Sequence, residues 1–336
     1  MSFKKIIIHG ENSKFEIFWM ILQWLIIGVL LYGIFSVLGN CKEDIGFVNY
    51  HLRRVISVQN SFFFLGVFLI SFLNWGFEAK KWQILVGKVE IISFSDAYKS
   101  VLMGLSLGFI SQADLGDLAG KMILIKNENR KKSTGAVLLG GGLQTYISLL
   151  FGTMSLFYFM KNVFPKESIF YQIVIFVCLL GIMIGIVLLY FRKNIDTFFN
   201  KVPFFAFAKP FLIVLKSYSN WEIFEVFTLS CSRYLIFSLQ FLIILLLFQI
   251  QLSIVDLLMI VFFVFFVKTI VPSISFISDL GVRGITSLYL FKFYNISPSL
   301  VIASTFTIWV INILIPVLIG TLVLIFLKKP RHNLEL

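Results

Sequence analysis

Six stretches of this chain run for more than 20 residues without one charged side chain: 17–41, 55–77, 134–160, 168–191, 234–255 and 299–327. Each is long enough to cross a hydrocarbon core of about 30 Å, which takes about 20 helical residues. Inside such a core every backbone N–H and C=O must find its partner within the protein, so only helices or a closed barrel can span it. The ten-residue alternation of a barrel strand is absent. The sequence therefore predicts an all-α polytopic membrane protein. Only 14% of the residues are charged, against about 25% in a soluble domain. The longest polar connection, 192–227, leaves no room for a separate soluble domain.

Two further apolar pieces are too short to cross. Residues 100–113 would reach about 21 Å as a helix, and residues 257–267 less. They sit at matching places in what reads as an internal repeat. Ser93-Phe-Ser-Asp96 precedes the first and Ser253-Ile-Val-Asp256 the second. Leu115-Gly116 and Leu280-Gly281 lie in the polar breaks that follow, and Leu150-Phe-Gly-Thr153 matches Leu318-Ile-Gly-Thr321. Short, broken segments in corresponding halves point to the binding site of a transporter. The pieces are read as re-entrant hairpins, giving six full transmembrane helices plus two hairpins in an inverted repeat. The copies cover approximately 17–160 and 168–327 of a single domain, 1–336. The alternative is eight full transmembrane helices.

Charge supports this layout. With the N-terminus inside, the inner loops hold 20 Lys and Arg and the outer segments 8, the bias expected of cytoplasmic loops. Both termini are expected on the cytoplasmic side of the cell inner membrane. The same bias accounts for the net charge of +12 without nucleic acid as a partner. Cys41, Cys178 and Cys231 lack metal-ligand spacing, so no metal or cofactor is expected. The 40 phenylalanines are read as lipid-facing bulk. The first span follows Lys4, Lys5 and Lys14 but is too long for a signal-peptide core, and is expected to be retained.

Three constellations could carry function. In the first break Asp114, Asp117 and Lys121 recur at spacings of three and four, one helix face. Taken alone, this segment suits a solvated loop with an ordinary ion pair better than a head-group contact. In the second break, after Pro272, Asp279 and Arg283 stand at pairing distance, and Arg can fork onto a phosphate. Polar groups inside the spans form the third set. Arg233 and Gln240 share a face, while Asn74, Glu78, Lys81 and Trp82 line one side of the second helix and its end. Gln144 and Asn312 lie inside the third and sixth spans. Arg233 is placed near the start of its helix, from which it could snorkel to the inner interface.

The succession Trp82, Ser93-x-x-Asp96, Gly108, Leu115-Gly116-Asp117, Arg233, Gln240, Pro272, Asp279-Leu-Gly-Val-Arg-Gly284, Trp309, Pro316 and Gly320 resembles the transmembrane region of lysylphosphatidylglycerol synthases. The resemblance spans nearly the whole chain. Its first hairpin departs from the family's pattern by lacking a Pro. In full-length relatives this region is thought to flip the lipid made by a following synthase domain. The chain ends nine residues after its last span, so lysyl transfer is not expected. The resemblance implies a flippase-like module for a phospholipid or a polyprenyl-linked lipid.

The expected function is thus lipid translocation, with a head-group cavity between the two hairpins. No ATP-binding Gly-x-x-x-x-Gly-Lys-Ser/Thr loop is present. Arg233, Gln240, Asp279, Arg283, Asp117, Lys121, Glu78 and Lys81 are the candidate substrate-binding or gating residues, with no catalytic residue and no enzyme activity expected. A membrane-embedded transferase acting on a lipid is the alternative, with Asp114 and Asp117 its weak candidates. A scaffold for a separate lipid-modifying enzyme, itself a candidate partner, is the third reading.

Overall fold

A computed structural model describes residues 60–110, 113–163, 169–192, 216–271 and 276–327, with a few positions between 50 and 57. The expected first span at 17–41, both termini, Gln112 and Pro272 lie outside the described residues. Within them the chain is helical, with no strand. The helices are α1 (Ser61–Val86), α2 (Phe94–Ile110), α3 (Ala113–Met122), α4 (Arg130–Asn162), α5 (Ile169–Tyr190), α6 (Asn220–Leu247), α7 (Ile254–Ile270), α8 (Phe276–Lys292), α9 (Pro298–Trp309) and α10 (Ile315–Phe326). A π-turn, Val310–Leu314, joins α9 to α10 in one continuous span. Among the described residues, five helical stretches are long and apolar enough to cross a membrane: α1, α4, α5, α6 and the α9–α10 rod. This is a multi-pass membrane protein.

Two boundaries differ from the sequence reading, and both matter. Helix α1 does not stop at 77 but continues to Val86, burying Glu78 and Lys81. Helix α6 begins at Asn220, where Ser219 and Glu222 form a capping box. That cap satisfies two otherwise orphaned backbone N–H groups. Arg233 therefore stands in the middle of α6, and the snorkelling reading fails.

The two short pieces have grown to helices of equal length, 17 residues each in α2 and α7. Each starts with the same local device. The backbone N–H of Asp96 donates to Ser93 Oγ at 3.1 Å, and that of Asp256 to Ser253 Oγ at 3.1 Å. The shared Ser-x-x-Asp motif is thus a pair of identical helix N-caps. A helix of 17 residues spans about 25 Å and α3, with 10, about 15 Å at 1.5 Å per residue.

The hairpins are held differently. In α2 and α3 the backbones touch through glycines. A methyl group placed on Gly116 would run into the backbone of Gly108, and one on Gly120 into Gly104. Small residues at four-residue spacing are what allow helices to approach this closely in lipid, where no hydrophobic force drives them together. Helix α7 is instead enclosed on all sides. Leu257 and the run from Met259 to Phe266 are all buried, as expected for a helix that is apolar all round. Its phenylalanines are core, not lipid-facing bulk: Phe262, Phe263, Phe265 and Phe266 pack with Phe159, Phe241 and Phe248. Other phenylalanines, including Phe62, Phe176 and Phe306, do face outward.

Each hairpin is also covered by the long helix that follows the other one. Helix α4 lies along α7, and α10 along α2. At the first contact Gly152 of α4 leaves room for Phe266. At the second Gly320 of α10 leaves room for Leu102 and Ser106, and Ser106 Oγ donates to the Val317 carbonyl at 2.7 Å. Ser106 and Phe266 are 160 residues apart, and Gly152 and Gly320 are 168 apart. Those are the offsets of the matching sequence motifs, so the two contacts are made by corresponding positions.

Gly116→Leu should therefore leave little folded protein, because the obstructing atoms are backbone and cannot rotate away. The expected loss is about 3 kcal/mol or more, at the upper end for overpacking. Gly66→Ala, where a methyl meets nothing within 4 Å, should be neutral or stabilising. Thermal unfolding of the two variants in detergent checks the contrast.

Candidate functional site

Five of the eight candidate residues meet at one place. Glu78 of α1 is the hub. Its carboxylate is 2.6 Å from Lys81 Nζ, 2.9 Å from Lys121 Nζ and 3.1 Å from Arg233 Nη1. Asp117 adds a second carboxylate, 2.8 Å from Lys121 Nζ. Helices α1, α3 and α6 each supply part of the cluster. Lys81 follows Glu78 by three residues and Lys121 follows Asp117 by four, the two spacings that bring side chains together on a helix.

Glu78, Lys81 and Lys121 are buried. The Asp117 side chain is 34% exposed and is the open edge of the cluster. Lys121 lies buried in helix α3 and not in a solvated loop, while the ion pair expected with Asp117 is present. Arg233 lies over the Trp75 ring at 4.6 Å and over Phe237 at 5.3 Å. Its Nη1 also reaches Gln144 Oε1 at 3.4 Å. Such a stacked position suits the planar, weakly hydrated guanidinium. Lys81 Nζ donates to the Gly140 carbonyl at 3.3 Å.

The charges do not balance. Among the described side chains, three cations share two carboxylates, so this set carries one excess positive charge in the interior of the bundle. A buried charge without a counter-ion costs several kcal/mol, at least about 3. The arrangement is suited to receive one more anionic oxygen group.

The other three candidates lie elsewhere. Gln240 Nε2 donates to the Val67 carbonyl at 2.7 Å, tying α6 to α1. Among the described residues it shares a helix with Arg233 but no hydrogen bond with the cluster. Asp279 and Arg283 pair with each other, Arg283 Nε to Asp279 Oδ2 at 2.9 Å. Lys268 Nζ approaches Asp279 at 3.7 Å, a partner that sequence reasoning missed, and Phe265 lies under the guanidinium at 5.3 Å. Asp279 and Arg283 are both buried. Among the described side chains, this set also holds one cation more than it holds carboxylates.

The head-group cavity expected between the two breaks involves 111–112 and 272–275, which lie outside the described residues. The hairpins do approach: α8 touches α2, and Leu280 joins the apolar cluster that contains Leu102 and Leu105. A cavity of about 560 Å³ opens elsewhere, where α8 turns into α9, lined by Leu288, Tyr289, Lys292, Ile296 and Pro298 among others.

A family model for the transmembrane region of lysylphosphatidylglycerol synthases matches residues 47–320. The chain belongs to this family. No curated protein and no solved structure matches it. Membership of the lysylphosphatidylglycerol synthase transmembrane family makes this a membrane protein linked to lipid handling. The matched region contains all eight candidate residues.

The hub and the edge of the cluster should respond differently to mutation. Glu78→Ala leaves three cations with one carboxylate and should destabilise by about 3–5 kcal/mol, as when a buried pair loses one partner. Asp117→Asn leaves Lys121 paired to Glu78 and should cost about 1 kcal/mol or less, the range for an exposed pair. Unfolding temperatures of the purified variants measure both.

Proposed function

We propose that the protein moves a phosphate-bearing lipid between membrane leaflets without ATP hydrolysis and without covalent chemistry. The observation that carries this is the cluster of Glu78, Lys81, Asp117, Lys121 and Arg233, with its excess positive charge. A lipid phosphate supplies the missing negative charge and accepts charge-assisted hydrogen bonds from Lys and Arg. The Asp279, Arg283 and Lys268 set is a second place where a phosphate fits. Asp117, at the exposed edge, is the carboxylate that an incoming phosphate displaces from Lys121.

In this reading the two hairpins are re-entrant and the two halves are inverted. The equal lengths and caps of α2 and α7 support it, as does the reciprocal cover by α4 and α10. A contact made twice by exchanged, corresponding positions is the signature of a two-fold axis. Six full spans then place both termini on the cytoplasmic side of the inner membrane. A separate enzyme that makes or uses the lipid would draw transport in one direction.

Proteoliposomes carrying a fluorescent short-chain phosphatidylglycerol test the function, with leaflet accessibility to a membrane-impermeant quencher as the readout. The wild-type protein should equilibrate the lipid. Arg283→Ala should slow it by about tenfold or more, as expected for a lost charge-assisted contact, with much smaller loss of abundance. If pairing with Asp279 is the only role of Arg283, the double change with Asp279→Ala should regain folding and transport together, and the direct role would then be refuted.

Topology has its own check. Single cysteines beside Lys121 and beside Asp279 should be labelled by impermeant reagents from opposite faces of the membrane. Labelling of both from one face would sink the inverted arrangement.

A further inference from the structure

The last span changes partners half-way. Its first part, α9, packs against α8 and α6, and its second part, α10, against α2. Between them lies the π-turn, Val310–Leu314, followed at once by Ile315 and Pro316. Sharp bends in helices come from Pro and from π-turns. Here the two coincide where the span passes from one helix pair to the other.

The backbone shows how this joint is held. In an α-helix the N–H of residue 315 donates to the carbonyl of Ile311, and that of residue 316 to Asn312. The Ile315 N–H donates to the Val310 carbonyl instead, and Pro316 has no N–H. Two consecutive buried residues thus lose the helical donors of their carbonyls. Helix α1 supplies both. Ser71 Oγ donates to the Ile311 carbonyl at 3.3 Å and Trp75 Nε1 to the Asn312 carbonyl at 3.1 Å. Ser71 and Trp75 stand four residues apart, on one face of α1, and both are buried.

Trp75 has a second task. Arg233 lies over the face of its ring at 4.6 Å, and Phe237 packs edge-on to it at 5.9 Å. An indole cannot turn its ring without moving its N–H. One rigid side chain therefore sets both the seat of Arg233 and the bond to the Asn312 carbonyl. Resting on the reading of the charge cluster as a phosphate site, we infer that the π-turn is a hinge and that Trp75 is the positioning residue that latches it to Arg233. As long as Arg233 sits on the indole, the latch is closed. A phosphate that draws Arg233 off the ring frees the indole to turn and releases the Asn312 carbonyl. The α10–α2 side then swings against the α9–α8 side. Rocking of one half against the other is how transporters built from repeats expose a fixed site to alternate faces.

The test uses the full-length protein in detergent, its native cysteines replaced by alanine, with spin labels on cysteines placed at Tyr190 and Phe326. Both positions are exposed, and they end α5 and α10. The label-to-label distance is read with and without short-chain phosphatidylglycerol, and binding of that lipid by native mass spectrometry. Trp75→Phe keeps an aromatic ring under Arg233 and removes the latch donor. Pro316→Ala gives the Asn312 carbonyl a helical donor again. Without lipid, Trp75→Phe should raise the displaced population by about five- to tenfold, the factor one net hydrogen bond carries. Adding Pro316→Ala to it should return the wild-type distance. Lipid should shift the wild type toward the displaced distance and leave Pro316→Ala in place. By linkage, Pro316→Ala should bind the lipid more weakly and Trp75→Phe more tightly, each by up to about tenfold. A merely structural tryptophan would not tighten binding when removed.

An unchanged lipid-free distance in Trp75→Phe, or no recovery on adding Pro316→Ala, would overturn the hinge. Lipid bound by the wild type without a change of distance would overturn the coupling. Should Trp75→Phe fail to fold, Pro316→Ala decides alone, and a lipid response equal to that of the wild type refutes the inference. The phosphate reading fails separately. If the wild type binds no lipid, that reading falls and the coupling with it, while the lipid-free distances still decide the hinge.

Discussion

The charge cluster between α1, α3 and α6 turns on one carboxylate. Glu78 holds Lys81 from its own helix, Lys121 from the first hairpin and Arg233 from α6. Each of those cations would be costly alone: insertion of a mid-membrane Arg is unfavourable by about 2.5–3.5 kcal/mol on translocon scales. Sharing one anion among three cations lowers that penalty without removing it, and the remaining charge is what makes the place suited to an anionic ligand. The same ion pairs dock the first hairpin, through Lys121, onto α1. In the proposed function, stability and ligand recognition are carried by the same atoms.

Around this hub the architecture repeats while the chemistry does not. Helices α2 and α7 match in length and cap, and their covering helices match in the glycine that admits them. The fillings differ. Glycine against glycine closes the first hairpin, and phenylalanines enclose the second. Glu78 and Lys81 have no charged counterparts 160 residues later, where Ser238 and Phe241 stand. The likeness of the halves lies in helix length, cap and covering glycine, and the polar groups are particular to each half.

Much of this was legible in the sequence because membrane insertion leaves few choices. Uncharged runs marked the spans, and the paired Ser-x-x-Asp motifs marked the starts of both short helices. What misled was the assumption that a charge ends a span. Glu78 and Lys81 looked like the end of a helix, yet α1 runs on to Val86. Arg233 looked like the start of one, yet α6 begins at its cap at Ser219. Charges that neutralise one another across helices do not obey that rule, and their mutual distance is a tertiary fact that no local window contains. Lys121 was underrated for the same reason: its partner Glu78 lies 43 residues away. Gln240 was overrated, since a shared face with Arg233 does not require a shared partner.

The reciprocal cover of the hairpins has a consequence for synthesis. Helix α4 already exists when α7 leaves the ribosome, so the second hairpin meets its cover on arrival. The first hairpin waits for α10, and Ser106 must stand by until Val317 appears 211 residues later. At about 5–20 residues per second that interval is about 10–40 s. Through most of it, the main neighbours of α2 among the described helices are α1 and α3. A backbone seam of Gly104, Gly108, Gly116 and Gly120 lets α2 and α3 close on each other without waiting. The chain thus places its self-sufficient helix pair early and its dependent one late, an order in which each short helix has a packing partner at the moment it is made.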